Sequence, residues 1–237
     1  MRAVAEVTTV GPPRHTLVAI GAGLPAIGIV AGLALALALE WLSQASPTID
    51  GVLGRGDHLG EPVALIIGAA LGAVVGAAGA AAALAERLRA TVSPRTLTLS
   101  WDDARVSVPR DVITSVILDG DLVLHGPRSV ELARVRCDVD RPALRAALAA
   151  HGYPEPAPED PHRGCFRSWR AGQDLDRDAD RLLAARARAV AARAHGDAEL
   201  LRRRLAARGI MVRDVTAPGR HEVQQQWRTV ELPELAA

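Results

Sequence analysis

Two long apolar runs near the N-terminus dominate the hydrophobic pattern of the chain. No charged side chain occurs from Thr16 to Leu39 or from Pro62 to Ala85. Each run is long enough for a helix to cross a ~30 Å hydrocarbon core, which needs about 20 residues. Neither run shows the polar stripe of a helix that packs on a soluble core. The pattern therefore predicts a two-helix transmembrane hairpin over residues 16–88, with helices at about 16–42 and 62–86.

The charges that flank the two runs predict the orientation of the hairpin. The intervening loop carries Arg55 alone against several acidic residues, Glu40, Asp50, Asp57 and Glu61. The outer flanks carry arginines, namely Arg2, Arg14, Arg87, Arg89 and Arg95. The positive-inside rule then predicts a plasma-membrane protein with both termini in the cytoplasm, including the N-terminal segment 1–15. A signal peptide cleaved after Ser43-Gln44-Ala45 is the alternative for the first run, although that run is longer than an ordinary signal core.

Small residues recur along one face of each predicted helix. They are Gly21, Pro25, Gly28 and Gly32 in the first helix, and Gly68, Gly72 and Gly76 in the second. Such spacing permits close helix packing, either within the hairpin or between copies of the chain. Segments this rich in Gly and Ala also produce the spacing by chance, so both explanations stay open. Because neither run contains a charge, we expect an anchor for the lipid bilayer and not a transport path.

After Pro94 the apolar period changes from that of a helix to that of a strand. Leu97, Leu99 and Trp101 alternate with polar residues, and an Asp119-Gly120 pair joins two further apolar segments, which favours a tight hairpin. About five strands are predicted. A helix follows, with Asp140 as its N-cap and Gly152 at its end. This pattern predicts a small antiparallel β domain closed by a helix over residues 94–153.

Antiparallel strands closed by one helix, directly after a membrane hairpin, resemble the YqeB-like bacterial membrane proteins with a pleckstrin-homology-like (PH-like) domain. The residues that carry the resemblance are Ile113-Thr114-Ser115-Val116, Asp119-Gly120, and Leu144 through His151-Gly152-Tyr153. The resemblance implies a seven-stranded fold. It does not bring phosphoinositide binding with it, because this stretch is acidic and lacks a basic loop cluster.

The chain beyond the β domain divides into a linker and a C-terminal module. Four prolines interleaved with acidic residues predict a stiff, solvated linker over 154–173. Apolar periodicity then predicts one helix from near Asp174 to His195, and a second that begins at Asp197 as N-cap and ends at Gly209. Short strands around Ile210 and ending near Trp227, joined by a Pro218-Gly219 turn, complete a two-helix plus β-hairpin module over 174–230.

The C-terminal module resembles the anticodon-binding C-terminal domain of cysteinyl-tRNA synthetase. The matching positions are Leu182, Arg186, Arg188, Ala198-Glu199, Leu205 through Ile210, Val212, Asp214 and Trp227. The resemblance implies contact with tRNA. Aminoacylation is excluded, because the nucleotide-binding signatures and zinc-binding cysteines of the synthetase are missing from the sequence.

Basic residues and one tryptophan make RNA binding by this module a candidate function. The candidate RNA contacts are Arg202, Arg203, Arg204, Arg208, Arg213, Trp227 and Arg228. Guanidinium groups bind phosphates and an indole stacks on bases. Against this, the preceding helix carries four aspartates, and all 28 basic residues other than histidine are arginine, so any solvated helix of this chain looks basic. A folded protein-interaction module with a charged exterior is the alternative.

No catalytic, metal-binding or cofactor-binding motif is found in the sequence. The seven histidines are scattered, and Cys137 and Cys165 have neither knuckle nor redox-pair spacing. We therefore expect no cofactor, no metal site, no small-molecule substrate and no enzyme. The sequence predicts a membrane-anchored α+β protein that displays two modules for a protein partner or for self-association, with tRNA or other RNA as the alternative partner.

Overall fold

The structure, a computed structural model, describes residues 7–45, 61–173, 175–216 and 223–232. The chain divides into two compact units. One is the segment Pro13–Glu86, and the other combines Met1–Pro12 with Arg87–Ala237. Arg2, the charged residues of the loop at 46–60, Asp174 and the Pro218-Gly219 turn lie outside the described residues.

The smaller unit is an antiparallel pair of helices, α1 (Arg14–Ala45) and α2 (Glu61–Ala85). Both helices are long and apolar enough to cross a membrane, over Arg14–Leu42 and Pro62–Ala85. Their large apolar side chains point outward: Trp41 is 70 % exposed and Val75 is 71 % exposed. A core helix of a soluble protein would bury such side chains against its own domain. These helices bury almost none of theirs.

Five glycines form the contact between α1 and α2. A Cβ atom added to Gly28 would collide with the carbonyl oxygen of Gly72, and one added to Gly32 would collide with that of Gly68. Gly76 meets the backbone of Leu24 in the same way. The backbones therefore touch directly, which only glycine permits at these positions. The predicted face is used within the hairpin, while a Cβ atom added to Gly21, which was grouped with it, would have open space around it among the described residues.

The larger unit begins with a four-stranded antiparallel sheet of order β1-β2-β3-β4. Its strands are β1 (Thr8–Val10), β2 (Arg89–Val92), β3 (Thr96–Trp101) and β4 (Ala104–Pro109). Strand β1 precedes the helical hairpin in the chain, and β2 follows it. They pair with Thr8 opposite Val92 and Val10 opposite Ala90. The predicted boundary at residue 94 is therefore wrong, because it omits these two short strands.

A second antiparallel sheet completes a seven-strand sandwich. It contains β5 (Ser115–Asp119), β6 (Asp121–His125) and β7 (Glu131–Arg136) in that order. Gly120 turns β5 into β6 with φ +70°, a left-handed conformation that favours glycine. Helix α3 (Arg141–Ala150) follows, and the carboxylate of Asp140 accepts a hydrogen bond from the amide of Ala143, as an N-cap does. Leu144 and Leu148 of α3 enter the core between the sheets.

The proline-rich segment 154–173 is packed on the domain, so the prediction of a solvated linker is wrong. Ala157, held extended between Pro156 and Pro158, exchanges backbone hydrogen bonds with Val116 and Leu118 on the free edge of β5. Further along, β8 (Arg167–Ser168) pairs with the last strand of the chain. The segment thus closes one sheet edge and joins a second sheet.

The C-terminal module contains two helices and a three-stranded sheet of order β8-β10-β9. Its other elements are α4 (Arg177–Ala191), α5 (His195–Ala206), β9 (Ile210–Thr216) and β10 (Val223–Thr229). Asp176 caps α4, and the helix begins at Arg177, after the predicted start near Asp174. Helix α5 begins at His195, two residues before the predicted cap Asp197. A separate apolar core, which includes Leu183, Leu205 and Trp227, holds the module together.

Candidate interaction surface

The C-terminal module docks onto two free strand edges of the sandwich, β4 and β7, through arginines of α5. Arg202 donates from Nη1 to the carbonyl oxygen of Glu131 (3.0 Å) and from Nη2 to that of Leu132 (2.9 Å), both on β7. Arg203 donates from Nη2 to the carbonyl oxygen of Arg105 on β4 (2.9 Å). Carbonyls at a sheet edge need donors that the sheet does not supply. The guanidinium groups supply them.

One carboxylate of the module orients both of these arginines. Glu199 is buried one turn before them on α5, at positions i−3 and i−4. It accepts hydrogen bonds from Nε and Nη2 of Arg202 (2.7 and 2.8 Å) and from Nε of Arg203 (3.0 Å). A bidentate carboxylate–guanidinium pair fixes the plane of the guanidinium group. Glu199 therefore aims the free donors of Arg202 at the edge of β7.

Glu131 is the buried centre of the docked surface, with 1 % of its area exposed. Its carboxylate accepts two hydrogen bonds from Arg134 (2.9 and 3.1 Å) and one from Nη2 of Arg228 on β10 (3.3 Å). Burial alone would raise the pKa of the Glu131 carboxyl. The hydrogen bonds and charge of Arg134, with the charges of Arg228 and Arg202, outweigh burial, so the pKa lies below its ordinary value.

The N-terminus of α5 is capped by the other domain. The amide of Gly196 donates to a carboxylate oxygen of Asp103 (2.8 Å), which lies in the turn between β3 and β4. Helix α5 has no side-chain cap of its own at Ala194. A carboxylate there also faces the positive end of the helix dipole. This cap from a distant part of the chain explains why α5 begins before the predicted cap at Asp197.

The segment before α4 completes the junction. Asp160 is buried and accepts a 2.7 Å hydrogen bond from Arg134. The ring of Phe166 has three guanidinium carbons near its centroid, those of Arg213 at 4.3 Å and of Arg134 and Arg228 at 5.4 Å. Such cation–π contacts link the sandwich, the segment and the module.

Three of the predicted RNA contacts lie inside this unit. Arg202 is 3 % exposed, Arg228 5 % and Trp227 6 %. The arginines are occupied by the contacts above, and Trp227 belongs to the core of the module, so its indole has no free face for a base. The prediction that these three residues form an open RNA surface is therefore corrected.

The other predicted RNA contacts reach solvent to different degrees. Arg203 is about half exposed, and Arg213 stacks on Phe166 and donates to Gln226. Arg204 and Arg208 are exposed, and their side chains have no hydrogen bond or ion pair with any residue that the structure describes. Only these two are fully available to a ligand.

Sequence reasoning missed Asp103, Glu131 and Asp160 as interface residues. Simple alternation along β7 does not reveal Glu131, because an irregularity in the strand pairs Ala133 with the core residue Leu124 but Glu131 with His125, on the other face of the sheet. Nothing near Asp103 or Asp160 in the sequence points to partners on α5 or β7. Within the described residues, no group of three or more His, Cys, Asp or Glu side chains could hold a metal ion.

A seven-stranded sandwich closed by a helix, with an apolar hairpin inserted between its first two strands, is the arrangement of a PH-like domain. The family model for the YqeB-like bacterial PH domain matches residues 8–156, including β1 and β2 on either side of the hairpin. The chain therefore belongs to the YqeB-like bacterial PH domain family.

Two further comparisons extend beyond the PH-like domain. Residues 172–228 match the model of the cysteinyl-tRNA ligase anticodon binding domain. The chain is also similar to a protein of Bacillus subtilis (strain 168) named "Uncharacterized protein YqeB", with 28 % identity over 227 residues, which cover 94 % of this chain and 92 % of that protein. No solved structure matches the chain.

Proposed function

We propose that this chain is a non-catalytic bacterial membrane protein whose helical hairpin anchors a partner-binding unit to the bilayer. This composite unit is the sandwich together with the C-terminal module docked on it. The observation that carries the proposal is the outward apolar surface of α1 and α2. Apolar patches on soluble proteins rarely exceed a few hundred Å². Two helices that expose Val, Ile, Leu and Trp along bilayer-spanning lengths fit a lipid environment.

The pairing of β1 with β2 supports a hairpin over a cleaved signal sequence. Because β1 precedes α1 and pairs with β2 after α2, both ends of the hairpin belong to one sheet. A chain that crosses the bilayer twice returns to the side on which β1 lies, so β1 and β2 can pair there. Cleavage after Ala45 would instead remove β1 from the sandwich. The arginines outside the two helices then favour the cytoplasm for the composite unit.

The composite unit is the proposed partner-binding part. Because the module docks on the sandwich, the surface offered to a partner is continuous across both, and Leu200 stands out on the outer side of α5 as an exposed large apolar residue. An exposed apolar side chain gains free energy when a partner covers it and removes it from water. We therefore place the protein partner on the face that contains Leu200.

A photoreactive amino acid at position 200, introduced into the full chain in native membranes, tests this placement. The expected result is one discrete protein adduct of constant mass. The same amino acid at Glu155, which is exposed on the proline-rich segment, is the matched control and should give none. Equal, diffuse labelling from both positions would contradict a specific partner at this face.

Membrane-tethered RNA binding is the second candidate function. Two observations favour it: the match to an anticodon binding domain, and the availability of Arg204 and Arg208.

Binding of tRNA to the solubilised full chain should weaken steeply with salt, because phosphate contacts release counterions. The Arg204→Ala/Arg208→Ala variant should lower the salt slope by about 1 per lost phosphate contact. Arg181→Ala, a change at an exposed arginine paired with Asp178 on α4, is the control. An unchanged slope in the double variant would contradict this function.

A further inference from the structure

The docked junction differs in chemistry from the interiors on either side of it. The sandwich and the C-terminal module have separate apolar cores. Between them lie hydrogen bonds and charge pairs made by Arg202, Arg203, Arg228 and the amide of Gly196, together with the buried side chain of Met211, whose sulfur accepts a hydrogen bond from the amide of Glu131. Polar interfaces within one chain behave like transient ones, whereas a shared apolar core would resist separation. Each side keeps its own core if the two separate.

Most of the side-chain hydrogen bonds across the junction are donated by arginines of the module. Arg202, Arg203 and Arg228 belong to the module and donate to acceptors of the sandwich, which are carbonyl oxygens and the Glu131 carboxylate. In the docked state these arginines are spent on protein acceptors. In an undocked module Arg202 and Arg203 would keep their pairs with Glu199, while Arg228 and the donors now directed at β4 and β7 would be open to phosphate oxygens as competing acceptors.

A strained loop of the sandwich is held by the same contacts. Arg128 and Ser129, between β6 and β7, have φ values of 55° and 61°, in the left-handed region that residues other than glycine seldom adopt. Arg228 donates to the carbonyl of Ser129 (2.9 Å), and Arg128 donates to that of Leu232 (2.7 Å). Both contacts join the loop to β10 or to the residues that follow it, so undocking would let this loop relax.

We propose that the C-terminal module is a releasable clamp, in which docking on β4 and β7 and binding of RNA compete for Arg202, Arg203 and Arg228. The proposal rests on the second candidate function. RNA would bind only the undocked module. The apparent affinity for RNA would then equal the affinity of the undocked module multiplied by the fraction of chains that are undocked. Weakening the sandwich side of the clamp therefore strengthens RNA binding, although the RNA surface itself is untouched.

Variants of the sandwich test the competition in the full chain in detergent, with unfractionated tRNA as the probe. Asp103→Ala removes the cap of α5 without touching either core, and Glu131→Gln removes the buried negative charge beside Arg228 while keeping an oxygen acceptor. We expect Asp103→Ala to tighten tRNA binding by about 3-fold or more, since a clamp closed in most chains hides that much affinity. Glu159→Gln, at an exposed acid outside the junction, matches the charge change and should stay within about 1.5-fold of wild type, as a surface charge screened by salt does.

Hydrogen exchange at β7 (Glu131–Arg136) supplies the second readout. Under competition, tRNA speeds amide exchange at β7 in the wild type, and Asp103→Ala shows fast exchange before tRNA is added. If tRNA binds but β7 exchange is unchanged, or if Glu159→Gln tightens binding as much as Asp103→Ala, the clamp is refuted and the RNA function stands. If tRNA binds no variant, including a folded Asp103→Ala variant whose β7 amides exchange fast, both the RNA-binding function and the clamp are contradicted.

Discussion

At the residue scale, buried polar groups join parts of the chain that are distant in sequence. Glu131 joins Arg134 of its own strand to Arg228, 97 residues away. Breaking such a buried pair from one side leaves an uncompensated charge and costs about 3–5 kcal/mol. Arg202 and Arg228 are therefore structural first, and their contribution to any ligand depends on whether they are released.

The buried His125 predicts how stability changes with pH. Burial lowers the pKa of His125 to about 4, while the charges of Glu131 and Asp160 act against burial. The unfolded chain, with an ordinary histidine pKa of 6.5, takes up the proton first as pH falls. Stability from the neutral imidazole is thus full above about pH 6.5 and declines toward pH 4.

Between pH 7.5 and 5.5 the wild type should lose about 1 kcal/mol of unfolding free energy through His125, at about 1.36 kcal/mol per pKa unit. The buried Glu131 and Asp160, whose pKa values are lowered, titrate below this window. His125→Phe fills the same space without titrating and should remove most of the loss. Denaturant unfolding at both pH values measures it; an equal loss in the variant would refute the assignment.

At the scale of elements, the sequence predicted what local chemistry determines. The Asp140 cap and the Gly120 turn were predicted correctly, because each depends on residues within a few positions. Strand β1 was missed, since three residues carry too little pattern and its partner lies beyond the whole hairpin. The early start of α5 was missed for the same kind of reason: its cap, Asp103, is 93 residues away.

The glycine contact of α1 and α2 gives a prediction with a matched control. Gly72→Ala places a methyl group against the backbone of Gly28, so the helices must separate, and overpacking of this kind costs about 1–3 kcal/mol. Gly79→Ala lies on the same helix with open space around it and should be neutral or slightly stabilising, because alanine favours helix. SDS titration in mixed micelles measures the free energy of unfolding of each variant. Equal stability of both variants would rule out the tight contact.

At the scale of the whole molecule, a membrane-type hairpin interrupts a sandwich and leaves its two ends on neighbouring strands. Residues Gly11, Pro12 and Pro13 separate β1 from α1, and Glu86, Arg87 and Leu88 separate α2 from β2. The proposed consequence is a unit tethered to the bilayer at two points, with all of its chain on one side. The sequence predicted that topology from charge, and the strand pairing adds an independent physical reason for it.

The most direct measurement is the accessibility of cysteines to a membrane-impermeant maleimide in intact spheroplasts. Native Cys165 is exposed on the composite unit, whereas Cys137 is buried and serves as an internal negative control. A Val52→Cys change in a Cys165→Ser background probes the loop between the two helices. The account predicts labelling of position 52 in intact spheroplasts and labelling of Cys165 only after lysis. Labelling of Cys165 from outside, or of neither position before lysis and both after it, would contradict the anchored hairpin.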